Sequence, residues 1–243
     1  MNVSRETSFE NYFDLSEVWF ASIFKSLSSP WEALVPGWKE EKISALIKPN
    51  ISSILRKSDL VTERQTIPCE GGESSIEAGA FIIGDEIELQ AGVSIEAGAW
   101  VTGPTILGPK TSVRNGAYIR GGVITGESTV IGHCSEVKSS ILFNGAKAAH
   151  FAYVGDSILG ANVNLGAGTK ISNLKMTNDE VVLNIDGKRI PSGLRKMGAI
   201  IGDGTETGCN SVLNPGALLS KSCLVYPTAS VRNKYYKAKS RIK

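Results

Sequence analysis

FIIGDEIELQAGVSIEAGAWVTGPTILGPKTSVRNGAYIRGGVITGESTVI, residues 81–131, carries one pattern from end to end. Aliphatic residues stand every six positions at Ile83, Leu89, Ile95, Val101, Leu107, Val113 and Ile119, and the frame runs on through Thr125, Ile131 and Val137. Four residues after each comes a small or β-branched one, from Ile87, Val93 and Ala99 to Ser135 and Ile141. Six is neither the period of a helix nor that of a plain strand. It suits short strands joined by tight bends, three to a triangular coil of eighteen residues, with an aliphatic side chain inward at each corner and glycine relieving the turns. The expected fold is therefore all-β, a left-handed parallel β-helix of hexapeptide repeats, an exception to the right-handed crossover preference. The frame returns at Tyr153, Leu159, Leu165 and Ile171, and again from Ile201 to Val231. Residues 76–171 and 199–231 are thus expected to wind about seven coils, a prism roughly 34 Å long at about 4.8 Å per coil. Each coil buries its inward side chains only against its neighbours, so the ends need covers.

Working outward, the frame is broken twice. Phe143 to Tyr153 is two residues short, and residues 172–198 leave the period as a loop with a small hairpin expected around Ile185-Asp186-Gly187-Lys188. Breaks in a regular pattern are where function tends to sit. Upstream, glycine nearly vanishes, and residues 1–68 read as a short-helical cap or connector. Apolar residues from Leu15 to Leu27 recur at helical spacing, Ser29-Pro30-Trp31 resembles a helix start, and Glu40 to Ile47 offers another amphipathic turn. The expected role of this region is to cover an end of the main domain, residues 69–231. Downstream, Arg232 to Lys243 is a basic tail of six cations without an acid.

The tail accounts for the whole positive balance. The chain of 243 residues has net charge +2, and without the tail the rest is −4, so a nucleic-acid role has little support. No apolar run approaches the roughly 20 residues of a membrane span, and Glu6, Glu10 and Asp14 stand where a secretory signal would be basic and then apolar. A cytoplasmic location without membrane partners is expected. The four cysteines form no CxxC pair and are expected as free thiols.

At eighteen residues per coil, Arg120 and Lys138 fall in one column about 4.8 Å apart, each just after an inward corner. Two like charges at that spacing suit an anion between them, a phosphate or carboxylate, unless Glu136 neutralises them as a solvated ladder. His150 lies in the first break, and Gly168 stands eighteen residues on, which leaves room for a ligand beside the imidazole.

The string AKAAHFAYVGDSILGANVNLGAGT, residues 146–169, with its histidine, tyrosine, GD and N-x-N-x-GAGT, closely resembles the acetyltransferase domain of the bifunctional enzyme that makes UDP-N-acetylglucosamine. GLRKMGAIIGDGTETGCNSVLNPG, residues 193–216, resembles the sugar-1-phosphate nucleotidylyltransferase relatives that carry such a domain. The resemblance implies an acetyl-CoA-dependent acetyltransferase acting on an amino-sugar 1-phosphate, glucosamine 1-phosphate first. By matched positions it implies His150 as catalytic base and Arg120, Glu136, Lys138, Tyr153, Asn164, Asn173 and Lys196 around the sugar phosphate. Ala167 and Cys209 stand where acetyl-CoA is contacted. Cys209 replaces a serine and Leu174 a tyrosine, so the thioester pocket and the choice of amino sugar can differ.

The chemistry asks for a base near working pH and donors for the tetrahedral oxyanion. The imidazole of His150 suits the first, backbone N–H groups of Gly166, Ala167 and Gly168 the second, and no metal is required. Residues 1–68 are too short for the nucleotidylyltransferase of those relatives, so a separate nucleotidylyltransferase is a candidate partner. A homotrimer is expected, with sites between subunits, a neighbour's loop 172–198 beside the charged column and the basic tail on the coenzyme's phosphates. Three readings compete. A carbonic anhydrase of this fold needs three zinc histidines and the chain has two, an acyltransferase on a nucleotide-linked amino sugar would present similar groups, and a non-catalytic hexapeptide scaffold remains open.

Overall fold

The structure, a computed structural model, describes residues 5–51 and 59–243; what the sequence places on residues 1–4 and 52–58 lies outside the described residues. The expected β-helix is there. Three sheets, parallel but for one edge strand, form the walls of a prism with 10, 8 and 8 strands, and along the coils each strand is followed by one in the next wall. The first wall begins with an antiparallel hairpin, Gln65–Cys69 against Gly72–Ile76, whose outer strand closes the sheet edge at that end. Ile51, Val61 and Ile67 plug the prism beneath it.

The first wall has nine parallel strands and the other two eight each, so between eight and nine turns are wound rather than seven. Part of the difference lies at the C-terminus, where residues 232–243 form a last coil instead of a tail. Tyr235–Tyr236 pairs with Ala217–Leu219, Arg241–Ile242 pairs with Leu224–Val225, and Ile242 fills the corner.

Most expected corners point inward, from Leu89 through Val137, but two do not. Ile82 rather than Ile83 pairs with Val101 and is buried, and Val154 rather than Tyr153 pairs with Val137. A slip of one residue exchanges the faces of a strand. The consequence is that Tyr153 points outward. The slip at Tyr153 has a definite origin: the steps Val137 to Leu142 and Val154 to Leu159 take five residues instead of six, so the coils here repeat at seventeen. Ser139 and Asp156, both at positive φ (49° and 48°), turn these shortened corners.

The third wall is buried on both sides. Ile106, Ile124, Ile141, Ile158, Ile200 and Leu218, each one residue before an inward side chain, form an outward aliphatic ladder at 0% exposure. Phe13, Phe20, Phe24, Trp31 and Leu34 cover it, with Phe143 at the centre of the aromatic cluster. The N-terminal aromatic segment therefore lines a side of the prism, not its end. Its geometry also differs from expectation. Between Leu15 and Leu27 only Ala21–Phe24 is helical, as a 3₁₀ turn, because bulky aromatic residues with modest helix propensity are held by the wall they cover. Pro30–Leu34 is likewise a 3₁₀ turn, and Ser29 donates to the Glu32 carboxylate instead of capping it. Trp38–Leu46 is the α-helix expected near Glu40–Ile47. No helix among the described residues is long and apolar enough to cross a membrane.

The excursion 172–198 carries the expected hairpin, Val182–Ile185 against Lys188–Pro191, turned by Asp186 and Gly187 at positive φ. It packs on the same chain. Leu183 and Ile185 join the ladder's cover, Asn184 Nδ2 donates to Asn233 O, and Asn233 Nδ2 donates to Val182 O. The inner side of the hairpin is thus packed on its own prism.

Candidate active site

The edge between the first and second walls carries the first group. Lys147–His150 ends there, Phe151 turns the corner at φ 52°, and Tyr153–Gly155 opens the next strand. Seventeen-residue coils put His133 directly beneath His150 in the parallel ladder. The same register continues upward to Ala167, since Ala148 pairs with Leu165 and Gly168 N–H donates to His150 O, and then to Cys209, whose neighbour Asn210 donates to Ala167 O. His133, His150, Ala167 and Cys209 form one column. The expected base and both expected acetyl-CoA contacts are stacked together.

His150 is exposed and its ring makes no hydrogen bond with any described residue, which leaves both nitrogens for a ligand. His133 differs. Its Nδ1 lies 2.9 Å from Asn115 O, its Nε2 lies 3.4 Å from Cys134 Sγ, and its ring meets Phe151 edge-on at 5.4 Å. Because a carbonyl only accepts, Nδ1 carries the hydrogen and neutral His133 is the Nδ1–H tautomer. Of the three expected oxyanion donors, two are engaged: Gly166 N–H bonds Thr207 O and Gly168 N–H bonds His150 O. Ala167 N–H and Cys209 N–H bond no described residue. The edge therefore offers two unpaired N–H groups in successive coils.

The outer face of the second wall holds the second group. Arg120, Glu136, Lys138 and Tyr153 project from neighbouring strands, but the two cations do not stand bare. Arg120 Nη1 bonds Glu136 Oε1 at 2.7 Å in a pair 45% and 31% exposed, and Lys138 Nζ bonds Asp156 Oδ2 at 2.8 Å with only 15% and 12% exposed. The exposed pair is worth little and can open toward an anion. The second is anchored. Asn173 Nδ2 donates to the same Asp156 oxygen, and Tyr153 hydroxyl lies 3.4 Å from Asn173 Oδ1. Burial, then the carboxylates of Glu136 and Asp156, push the Tyr153 phenol above its ordinary pKa, against the pull of Arg120. Tyr153 thus stays a neutral hydroxyl. Lys196 reaches this group through its backbone, bridged to Leu174 at the neck of the excursion, with Met197 N–H on Asn173 O.

Asn164 stands apart. It projects from the first wall between Lys147 and Glu206, not from the face that carries Tyr153. Two residues escaped the sequence reading. Asp156 is the aspartate of the GD in the quoted motif and lies eighteen residues after Lys138, while His133 becomes a neighbour of His150 only once the seventeen-residue coil is known.

Residues 101–242 match the family described as "GMPPB C-terminal domain". The chain belongs to the GMPPB C-terminal domain family. Every candidate residue, from Arg120 to Cys209, lies inside that GMPPB C-terminal domain segment. Among curated relatives, the "Bifunctional sugar-1-phosphate nucleotidylyltransferase/acetyltransferase" of Sulfurisphaera tokodaii is 38% identical over 153 residues, 63% of this chain and 37% of that protein. The "Bifunctional protein GlmU" of Methanococcus maripaludis is 44% identical over 95 residues, 39% of this chain and 23% of that protein. The chain thus aligns with well under half the length of these relatives. A looser structural match, TM-score 0.40 at 16% identity over 70% of this chain and 69% of the other, is to an Arabidopsis UDP-N-acetylglucosamine acyltransferase.

Proposed function

We propose that the chain is an acetyl-CoA-dependent N-acetyltransferase acting on an amino-sugar 1-phosphate, with glucosamine 1-phosphate as first candidate and His150 as general base. The observation that carries this reading is the column His150, Ala167, Cys209 running beside the polar group of Arg120, Glu136, Lys138, Tyr153 and Asn173. The names of the relatives, a sugar-1-phosphate nucleotidylyltransferase/acetyltransferase and GlmU, agree with it.

In this mechanism the thioester lies along the edge column, its carbonyl oxygen near Ala167 N–H. The amine attacks the carbonyl carbon, His150 takes the amine proton, and collapse of the tetrahedral intermediate expels the coenzyme thiolate, which recovers a proton from the imidazolium. The sugar phosphate exchanges Glu136 for its own oxygens on Arg120 and uses the remaining N–H groups of Lys138. Toward the C-terminus the column leads over the coils of Glu206–Thr207 and Leu224–Val225 to Arg241–Ile242, about 19 Å beyond His150 at one strand spacing per coil. The last coil, with six cations and no acid, is there to receive the coenzyme's phosphates.

The separation of Asn164 from Tyr153 favours a homotrimer. Three triangular prisms around a threefold axis bring the first wall of one copy against the second wall of the next, so that Asn164 of a neighbour completes the group around Tyr153. The amino-sugar pathway implied is cytoplasmic.

The test is release of free CoA from acetyl-CoA with a panel of amino-sugar phosphates, beside the melting temperature with and without acetyl-CoA. Turnover of glucosamine 1-phosphate and a rise in melting temperature support the reading. No rise and no turnover would leave a non-catalytic scaffold.

A further inference from the structure

At the corner between the second and third walls, successive coils place Gly121, Ser139, Asp156, Gly198 and Gly216 above one another, linked by backbone hydrogen bonds of 2.7–3.1 Å, that of Asp156 being made to Lys138 O. Only Asp156 in this column is charged. It holds φ 48°, as Ser139 beneath it holds 49°, a left-handed turn that glycine adopts most freely and that by itself asks for no carboxylate.

What the carboxylate does there is specific. Its Oδ2 accepts from Lys138 Nζ and from Asn173 Nδ2, while its backbone N–H and C=O bond Lys138 O and Gly198 N–H. One residue therefore joins the largely buried cation of the site, an asparagine at the start of the excursion and the point where the excursion returns. The amide of Asn173 cannot turn over, because its NH₂ is held by a carboxylate that only accepts. Its Oδ1 must then face Tyr153 and the outer surface as an acceptor, and Lys138 keeps two N–H donors on the same side.

We infer that Asp156 is a positioning residue of the acceptor site: it fixes the Lys138 ammonium as donor to the sugar phosphate and the Asn173 carbonyl as acceptor for an N–H or O–H of the amino sugar. The inference rests on the acetyltransferase reading. Asp156 acts through these two partners, with its Oδ2 taken by two donors from the protein.

The test uses the full chain with Asp156→Gly, which suits the backbone, and Asp156→Asn, which keeps the shape. Both are expected to lower kcat/KM for the amino-sugar phosphate roughly 10- to 100-fold, the loss of a charged hydrogen bond, while the KM for acetyl-CoA stays at the wild-type value. Asn173→Ala should cost about as much alone and little more when added to Asp156→Gly, because the two act as one unit. Unchanged kinetics in a folded Asp156→Gly, equal losses for both substrates, or multiplying losses in the double variant would each overturn the inference. Should neither variant fold, the wild-type protein still decides: the Asn173 side-chain amide, assigned by its disappearance in Asn173→Ala, should exchange slowly with solvent, and rapid exchange would overturn the assignment. A wild-type enzyme that acetylates no amino sugar defeats the underlying reading and leaves this amide measurement to stand or fall separately.

Discussion

His133 and His150 face the same way from adjacent strands, yet their environments predict opposite responses to alanine. His150 has no hydrogen bond to lose and is exposed, so His150→Ala should change the folding free energy by no more than about 0.5 kcal/mol, as for surface positions generally. Its effect on rate should be large. Loss of a general base typically costs 10² to 10⁴ in turnover, about 3 to 5 kcal/mol of transition-state stabilisation. His133→Ala loses the 2.9 Å bond to Asn115 O and the ring contact with Phe151, so it should destabilise by about 1 kcal/mol while keeping most of kcat. The assay pairs urea unfolding with initial rates of CoA release at saturating acetyl-CoA. A His150→Ala enzyme with more than about a tenth of wild-type kcat would fall outside the range for a base and refute the assignment. A reversed pattern, with His133→Ala carrying the rate loss, would move the base one coil toward the N-terminus.

Lys138→Ala leaves Asp156 largely buried with Asn173 as remaining partner, so it should lower stability by about 2 to 3 kcal/mol, below the range for a fully buried pair; an unchanged urea midpoint would contradict the anchoring role drawn for that ion pair. Arg241→Glu with Lys243→Glu should raise the KM for acetyl-CoA at low salt and leave that for the sugar unchanged; charge reversal is the sound test, because truncation after Val231 would strip the last coil and uncover the prism. Phe143→Ala should cost about 3 to 5 kcal/mol and release the N-terminal segment to proteolysis, and a melting temperature within a degree of wild type would show that the aromatic cover contributes little. Asp203 has its carboxyl pKa raised, by burial first, so it binds a proton more tightly folded than unfolded; its contribution to stability should fall as pH rises from about 3.8 through the raised folded value, and the pH dependence of wild type minus Asp203→Asn in urea unfolding should slope downward there.

How much of this was legible in the residues follows from what a six-residue period can and cannot carry. It specifies inward corners, and these were found wherever the step stays at six. At Val137 to Leu142 and Val154 to Leu159 the step is five, and nothing in the composition of VKSSIL or VGDSIL says which residue is dropped. Only the pairing of Val154 with Val137 settles that Tyr153 looks outward, and that one slip moves it from the inner face, where the period puts it, to the outer face, where the resemblance asks for it. The doubled aliphatics Ile106-Leu107, Ile141-Leu142, Ile158-Leu159 and Ile200-Ile201 are a sign of a wall buried on both faces that the expectation of an end cover passed over, beside the aromatic run at residues 9–34 that covers it. Asp156 was less accessible. Its column is defined by three-dimensional stacking over a gap of 42 residues to Gly198, and its partners Lys138 and Asn173 come from the coils on either side. The motif residues with the most chemistry were thus visible as types, whereas the one that orients them is visible only as a contact. The same logic applies to Asn164: a period places it on a face, and in the proposed trimer which face meets Tyr153 depends on the assembly, so cross-linking Asn164→Cys to Tyr153→Cys between copies is the measurement that joins the two. Disulfide-linked chains in a denaturing gel would put Asn164 in the neighbour's site, and failure to form them under oxidation would leave the first wall outside the acceptor group.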